Sequence, residues 1–421
     1  MTVVQIQSTS SCDLQVKALL SSLRKKNITS EQEKVVHEIA QSLTRSITDK
    51  DMLKDALSTL EEIALSSKFK FEQLGLLKFI VDKTSNYSWS ALYALSFIIE
   101  SPHFNEKEWN VLEQLLKKAP GNVEAVLWEI ESSVRSPAGR SWKLITFVLE
   151  KSQKENNPLK LLKSLNAIAE NKDLNIKSVL EMYSTGEKLA RELGASFNDP
   201  LVCVSFAYSI SVIGEKKTRE LYSKTGIEYF ARYSKDMLKE VYSNLSKETK
   251  APVLVVAFNK YDVNGVFYKE GRRLDSFLKS NYKILIFECA SENEFYNKVE
   301  SFAKNGKIHT LIIGGHGEPH KIMLGGNTDS ARLDLGDEKE LIKIKKHFIK
   351  NPKIILVACS TGKDNNSMGA VISRVMDATV FAPPKPDHTT EYVIGKDGLI
   401  KNVKYTGPTK KFLGNIPRKN E

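Results

Sequence analysis

Two residues far apart in the chain have the chemistry and the neighbours to act as a pair. Cys359 closes the apolar run KIILVAC and is followed by Ser360, Thr361 and Gly362, while His316 follows the apolar run HTLIIGG and stands between Gly315 and Gly317. A thiol is mostly protonated at neutral pH and becomes a nucleophile when a neighbouring base takes its proton. An imidazole suits that task, because it titrates near neutrality and can hand the proton on to a leaving amine. Gly317 leaves the backbone N–H after the histidine unobstructed. Together with the N–H of Cys359 it would bind the oxyanion of a tetrahedral intermediate. Gly314, Gly315 and Gly362 permit the tight turns that bring the two loops close.

Such a pair must be positioned by rigid elements, and the pattern from Pro252 onward supplies them. Short β-branched runs, VLVVAF, KILIFECA, HTLIIGG, KIILVAC and TVFAPP, alternate with helical stretches such as ENEFYNKVESFAKN and MGAVISRVM. Near-continuous apolar strands separated by helices predict a mostly parallel sheet covered on both faces. Reactive groups in such sheets gather at the carboxyl ends of the strands, where both His316 and Cys359 fall. The tail EYVIGKDGLIKNVKY predicts a hairpin about a KDG turn.

The preceding region, about residues 30 to 245, has apolar residues at three- and four-residue spacing and reads as stacked amphipathic helices. ALSTLEEIALSS from Ala56, ALYALSFIIESP from Ala91, AVLWEIESSVRSP from Ala125 and LLKSLNAIAENK from Leu161 recur at offsets of 35, 34 and 36 residues. Each is followed by a second apolar helix. The unit is therefore a helical hairpin that buries its face only against its neighbours, an α-solenoid. Trp89, Trp109, Trp128 and Trp142 fall inside these helices and read as core. The polar stretch SNLSKETKAP marks the boundary, giving an N-terminal segment over 1–29, a helical repeat domain over 30–245 and an α/β domain over 246–421.

Composition narrows the setting. The net charge is +11, and residues 251–421 hold 27 Lys and Arg against 19 Asp and Glu. Four cysteines, Cys12, Cys203, Cys289 and Cys359, are too widely spaced for a disulfide framework or a metal site. No secretory leader or membrane span is recognisable, so the sequence predicts a cytoplasmic protein with reduced thiols. The string NKYD at Asn259 matches the guanine-reading motif of GTPases, but no GxxxxGK[ST] phosphate loop accompanies it. His309, His320, His347 and His388 lack metal-ligand spacing, and no metal ligands are assigned.

The order strand, His-Gly, helix, strand, Cys resembles the clan CD cysteine peptidases, the caspase-like group. The His–Cys separation of 43 residues is close to that of caspases, about 50, and Cys359-Ser360-Thr361-Gly362 has the Cys-x-x-Gly spacing of metacaspases. HTLIIGGHGEPHKIMLGG is most similar to the autoprocessing domains of bacterial toxins and related bacterial caspase-like modules. The helical region resembles HEAT or armadillo repeats. The resemblance implies a multidomain protein, a HEAT-like all-α solenoid followed by an α/β caspase-like sandwich. It implies a cysteine endopeptidase with a His316/Cys359 dyad, no required cofactor, and a protein or peptide substrate.

Caspases carry Gln, and metacaspases Asp, two residues before the cysteine, where this chain has Val357. That implies an apolar wall to the pocket for the residue preceding the cut. Ser360, Asp262 and Asp387 are further pocket candidates, Asp262 as a residue shaping the cleft and Asp387 as one able to meet Arg or Lys. The helical repeats would recruit a substrate or a protein regulator. Self-cleavage and activation by calcium or a polyanion are left open, and neither specific nucleic acid nor a membrane is expected as a partner. The competing expectation is a non-catalytic scaffold whose α/β part is a degenerate peptidase used as an interaction module.

Overall fold

The structure is a computed structural model of the chain. It describes residues 16–414 apart from 25–27, 103, 136–140, 152–157, 160–161, 163–172, 174–177, 179–180, 246–250, 261–269, 272, 305, 326–328 and 387–388. The chain divides into two compact units, Met1–Ala169 and Glu170–Glu421.

The first unit is helical. Thr29 caps the helix Ser30–Ser46 through a reciprocal box with Gln32, and Asn105 with Glu108 does the same for Glu106–Lys118. Helices Lys50–Leu65, Ser88–Glu100 and Val123–Arg135 are the first members of three successive hairpins, and each packs on the next. On the other row, Ser30–Ser46, the helix before the first hairpin, packs on Leu74–Thr84, and Glu106–Lys118 packs on Ser141–Lys151. Leu57, Leu60, Leu92, Leu95, Leu127 and Ile130 fill the interior. The fourth expected repeat, from Leu161, lies almost wholly outside the described residues. Trp109 and Trp142 are core, but Trp89 and Trp128 are only half-buried, a correction to the reading of all four as core.

The second unit begins with helices of its own. Tyr183–Glu192 lies against Pro200–Ile213 so closely that a side chain on Gly186 would meet the Cys203 carbonyl. Glu215–Thr225 and Lys235–Asn244 follow, and the latter packs on the sheet, with Asn244 Nδ2 donating to the Ile284 carbonyl at 3.2 Å. The expected boundary at 245/246 therefore falls inside this unit. Its polar signal is real, but the helices before it share a buried ionic network with the sheet.

Strands β1 (Val253–Asn259), β2 (Lys283–Cys289), β3 (Ile308–Gly314), β7 (Phe348–Val357), β8 (Thr379–Ala382) and β11 (Lys410–Phe412) form one sheet in the order β11-β8-β7-β3-β1-β2. All pairings are parallel except β11 with β8. Every residue of β1 and β2 is buried, which explains their unbroken apolar runs. A second, three-stranded antiparallel sheet comprises β4 (His316–Glu318), β5 (Lys321–Met323) and β6 (Arg332–Asp334). The expected hairpin is present as β9 (Thr389–Ile394) and β10 (Ile400–Tyr405). EGRRLDSFLKS, expected as an ordinary helix, carries a 3₁₀ turn over Leu274–Lys279, and edge strand β11 was not foreseen.

Candidate active site

The pairing of β3 with β7 decides where the two reactive residues emerge. These strands are parallel neighbours, Ile312 faces Ile355 and Gly314 faces Val357. His316 and Cys359 each follow two residues later, so they leave the same sheet edge at the same level. Leu311, Ile313, Leu356 and Ala358 share one core. Strand alternation therefore assigns Gly314 and Val357 to the opposite face.

The loops meet beyond the strand ends. A Cβ on Gly317 would lie 2.5 Å from the Cys359 nitrogen, 2.4 Å from its carbonyl oxygen and 2.6 Å from the Ala358 carbonyl carbon. The peptide following His316 thus rests against the Cys359 peptide itself, and only glycine permits that approach. Gly315 donates its N–H to the Val357 carbonyl at 3.2 Å, continuing the ladder one step past the strands. Pro319 accepts from the Met368 N–H at 2.7 Å, so the turn after the histidine is tied to the start of the helix that follows the cysteine loop. His316 opens β4 opposite Met323 and is half-buried, with Nε2 closed off from solvent.

Cys359 is half-buried at the head of a tight turn. Thr361 Oγ1 donates to the Ala358 carbonyl at 2.7 Å, and the Lys363 N–H donates to the Ser360 carbonyl at 3.0 Å. Ser360 adopts φ +60°, a left-handed conformation costly for any residue with a side chain. It is held there by donation to the Lys385 carbonyl at 3.1 Å, while Gly362 donates to Pro383 at 2.9 Å. Gly362 has no room for a side chain against Ala382. The amides of Gly315, Ser360 and Gly362 are thus engaged in building the loops, and the Gly317 and Cys359 peptides meet between them.

Cys203 and Cys289 are fully buried, and burial pushes the Cys203 thiol up to about 11 and that of Cys289 well above its ordinary value. Of the pocket candidates, Val357 is buried in the sheet beside Gly314, and Ser360 holds the turn. Asp262 and Asp387 lie outside the described residues, as do Cys12 and His388. His320 is exposed on the turn after β4, whereas His309 and His347 lie at the opposite end of the sheet, near Val253 and Glu300. Among the described residues no group of three or more His, Cys, Asp or Glu side chains is placed to hold a metal ion.

One group went unnoticed in the sequence. Glu270, Thr389 and Tyr392 are buried together, the Thr389 amide donating to the Glu270 carboxylate and the Thr389 side chain meeting the Tyr392 hydroxyl. Burial pushes the Glu270 carboxyl up to about 7 against the pull of its ion-pair partner Arg273. Within YKEGRR, Glu270 looks like any acidic residue opening a helix, and no spacing marks it.

The family model described as a domain of unknown function, DUF8616, matches residues 282–398, which run from the start of β2 to the β9–β10 turn and include both His316 and Cys359. No match is found among curated proteins or among solved structures.

Proposed function

We propose that the second unit is a caspase-like cysteine endopeptidase in which Cys359 is the nucleophile and His316 its proton carrier. The observation that carries this reading is the in-register exit of the two residues from neighbouring parallel strands, with the Gly317 peptide packed on the Cys359 peptide. His316 takes the thiol proton as sulfur attacks the scissile carbonyl, and the oxyanion formed is met by backbone N–H groups of Gly317 and Cys359. Collapse of the intermediate breaks the C–N bond, His316 gives its proton to the departing amine, and a thioester remains on Cys359. Water, deprotonated by the same imidazole, releases the acid and restores the thiol. No group other than these residues is required.

The stacked helical hairpins of the first unit fit a HEAT-like scaffold that recruits a substrate or regulator. Among the described residues no helix is long and apolar enough to cross a membrane. The decisive experiment incubates the full chain with a peptide library and with a peptidyl thiol electrophile, maps cuts and adducts, and repeats both with Cys359→Ala and His316→Ala. Cleavage and rapid labelling of Cys359 are expected, both lost in the two variants. Labelling of Cys359 no faster than a free cysteine peptide, with no cleavage, would leave a non-catalytic interaction module.

A further inference from the structure

Four aromatic rings of the first unit form one part-exposed array. Trp89, Tyr93 and Phe97 recur at four-residue spacing along Ser88–Glu100, and Trp128 joins them from the neighbouring helix Val123–Arg135. Trp89 stacks on Tyr93 with centroids 5.7 Å apart, Phe97 meets the other side edge-on at 4.6 Å, and Trp128 lies 6.4 Å from Tyr93. Tyr93, at the centre, is 40% exposed, and the other three are half-buried. The array is held rigid: Trp128 Nε1 donates to Ser90 Oγ at 2.8 Å, which donates to Glu124 Oε1 at 2.6 Å. A contiguous cluster of part-exposed rings centred on an exposed tyrosine marks an interaction surface.

Charge identifies the occupant. The three stacked first helices, Lys50–Leu65, Ser88–Glu100 and Val123–Arg135, hold eight acidic against three basic residues, a net −5. The four helices of the other row, Ser30–Ser46, Leu74–Thr84, Glu106–Lys118 and Ser141–Lys151, hold eight against nine, a net +1. The acidic surplus therefore lies on the row of helices that bears the rings, in a chain whose net charge is +11. Asp55 and Glu62 are exposed on the helix that packs beside Ser88–Glu100, and Glu124 is fixed next to the rings. Ring faces flanked by carboxylates attract guanidinium and ammonium groups, by cation–π contact above the rings and ion pairing at their edges.

We infer that this face is a docking site for a basic peptide segment of a partner protein, which seats Arg or Lys side chains on the Trp89–Tyr93–Phe97–Trp128 array between acidic rails. The inference is independent of peptidase activity, so it is tested on the full chain carrying Cys359→Ala. An arginine-rich dodecapeptide is titrated in while Trp fluorescence and heat are followed, with an acidic peptide of equal length as control. Saturable binding of the basic peptide alone is expected, weakened roughly tenfold by Tyr93→Ala and further by Asp55→Asn with Glu62→Gln. Tyr93 is exposed, and an unchanged melting curve shows that its variant remains folded. Binding unaffected by Tyr93→Ala would overturn the assignment, since attraction to diffuse charge needs no rings. Self-association of the chain lost in Tyr93→Ala would also overturn it, by giving the face to a second copy.

Discussion

Replacing Arg232 by Met tests whether the helices before residue 246 are part of the α/β unit or an appendage to it. Arg232 is fully buried on the segment between Glu215–Thr225 and Lys235–Asn244. Its Nη1 lies 2.8 Å from Glu288 Oε1 near the end of β2 and 3.0 Å from the Asn259 carbonyl at the end of β1. Glu288, also fully buried, accepts from the Glu228 and Tyr229 amides at 2.9 and 3.2 Å, and Glu228 pairs with Lys260 at 2.9 Å. Burial pushes the Glu288 carboxyl up, and Arg232 is the main pull in the other direction. Methionine fills the same space but leaves Glu288 without its cation, a loss of about 3–5 kcal/mol for a buried pair broken on one side. With a urea dependence of about 3 kcal/mol per molar for a unit of this size, the midpoint should fall by about 1–2 M. Pulsed alkylation of Cys203 and Cys289 against urea reads this unit alone, because both thiols are buried within it. Arg232→Met with Glu288→Leu should recover part of the loss, since the orphaned charge goes with its partner. A single variant within about 0.3 M of the parent, or a double variant worse than both singles combined, would refute the integral role of these helices.

Gly317→Ala places a methyl 2.4–2.6 Å from three backbone atoms of Ala358 and Cys359; it should cost about 1–3 kcal/mol and about a hundredfold in peptide turnover, measured by initial rates and urea midpoint together. The second unit should lose stability as pH rises from about 4 to 7. Burial, with Glu292 hydrogen-bonded, pushes Asp337 up to about 7, and burial does the same to Glu270. Folded chains hold protons that unfolded ones release near the ordinary carboxyl values, so this stabilisation is complete below those values and lost as pH passes 7. Alkylation midpoints at pH 5 and 8 should differ in that sense, and Asp337→Asn with Glu270→Gln should flatten the difference.

The parallel sheet was legible because β1, β2, β3 and β7 are covered on both faces, which demands apolar runs that few other elements share. His316 and Cys359 were legible because each directly follows such a run. Period and propensity said nothing of β11, a three-residue edge strand whose pairing depends on chain that has already folded. The boundary at 245/246 was drawn from composition, and composition is blind to an arginine that reaches a glutamate 56 residues on. Trp89 and Trp128 were read as core because periodicity locates a helix face without saying whether another helix covers it. Glu270, Thr389 and Tyr392 come together only through tertiary packing.

The sequence separation of His316 and Cys359 matters less than the register that aligns them, and that register is set at the far end of β7. Ile308 pairs with Phe348, but Thr310, two residues on, pairs with Lys353, five residues on. Three additional residues are thus absorbed around Asn351, which takes φ +52° directly before Pro352. Had the first pairing continued unbroken, His316 would stand level with Leu356, and the odd shift would turn the cysteine strand's faces over. Asparagine tolerates the left-handed conformation that lets the chain bulge, whereas a β-branched residue does not. Asn351→Gly should therefore keep the register, stability and activity. Asn351→Val should cost about 1–2 kcal/mol or more and remove peptide turnover out of proportion to that loss, since the exposed site is remote from the cysteine yet governs its alignment. Equal turnover in the valine and glycine variants would show that the strand ends are aligned by the Gly317–Cys359 contact alone, with the bulge a passenger.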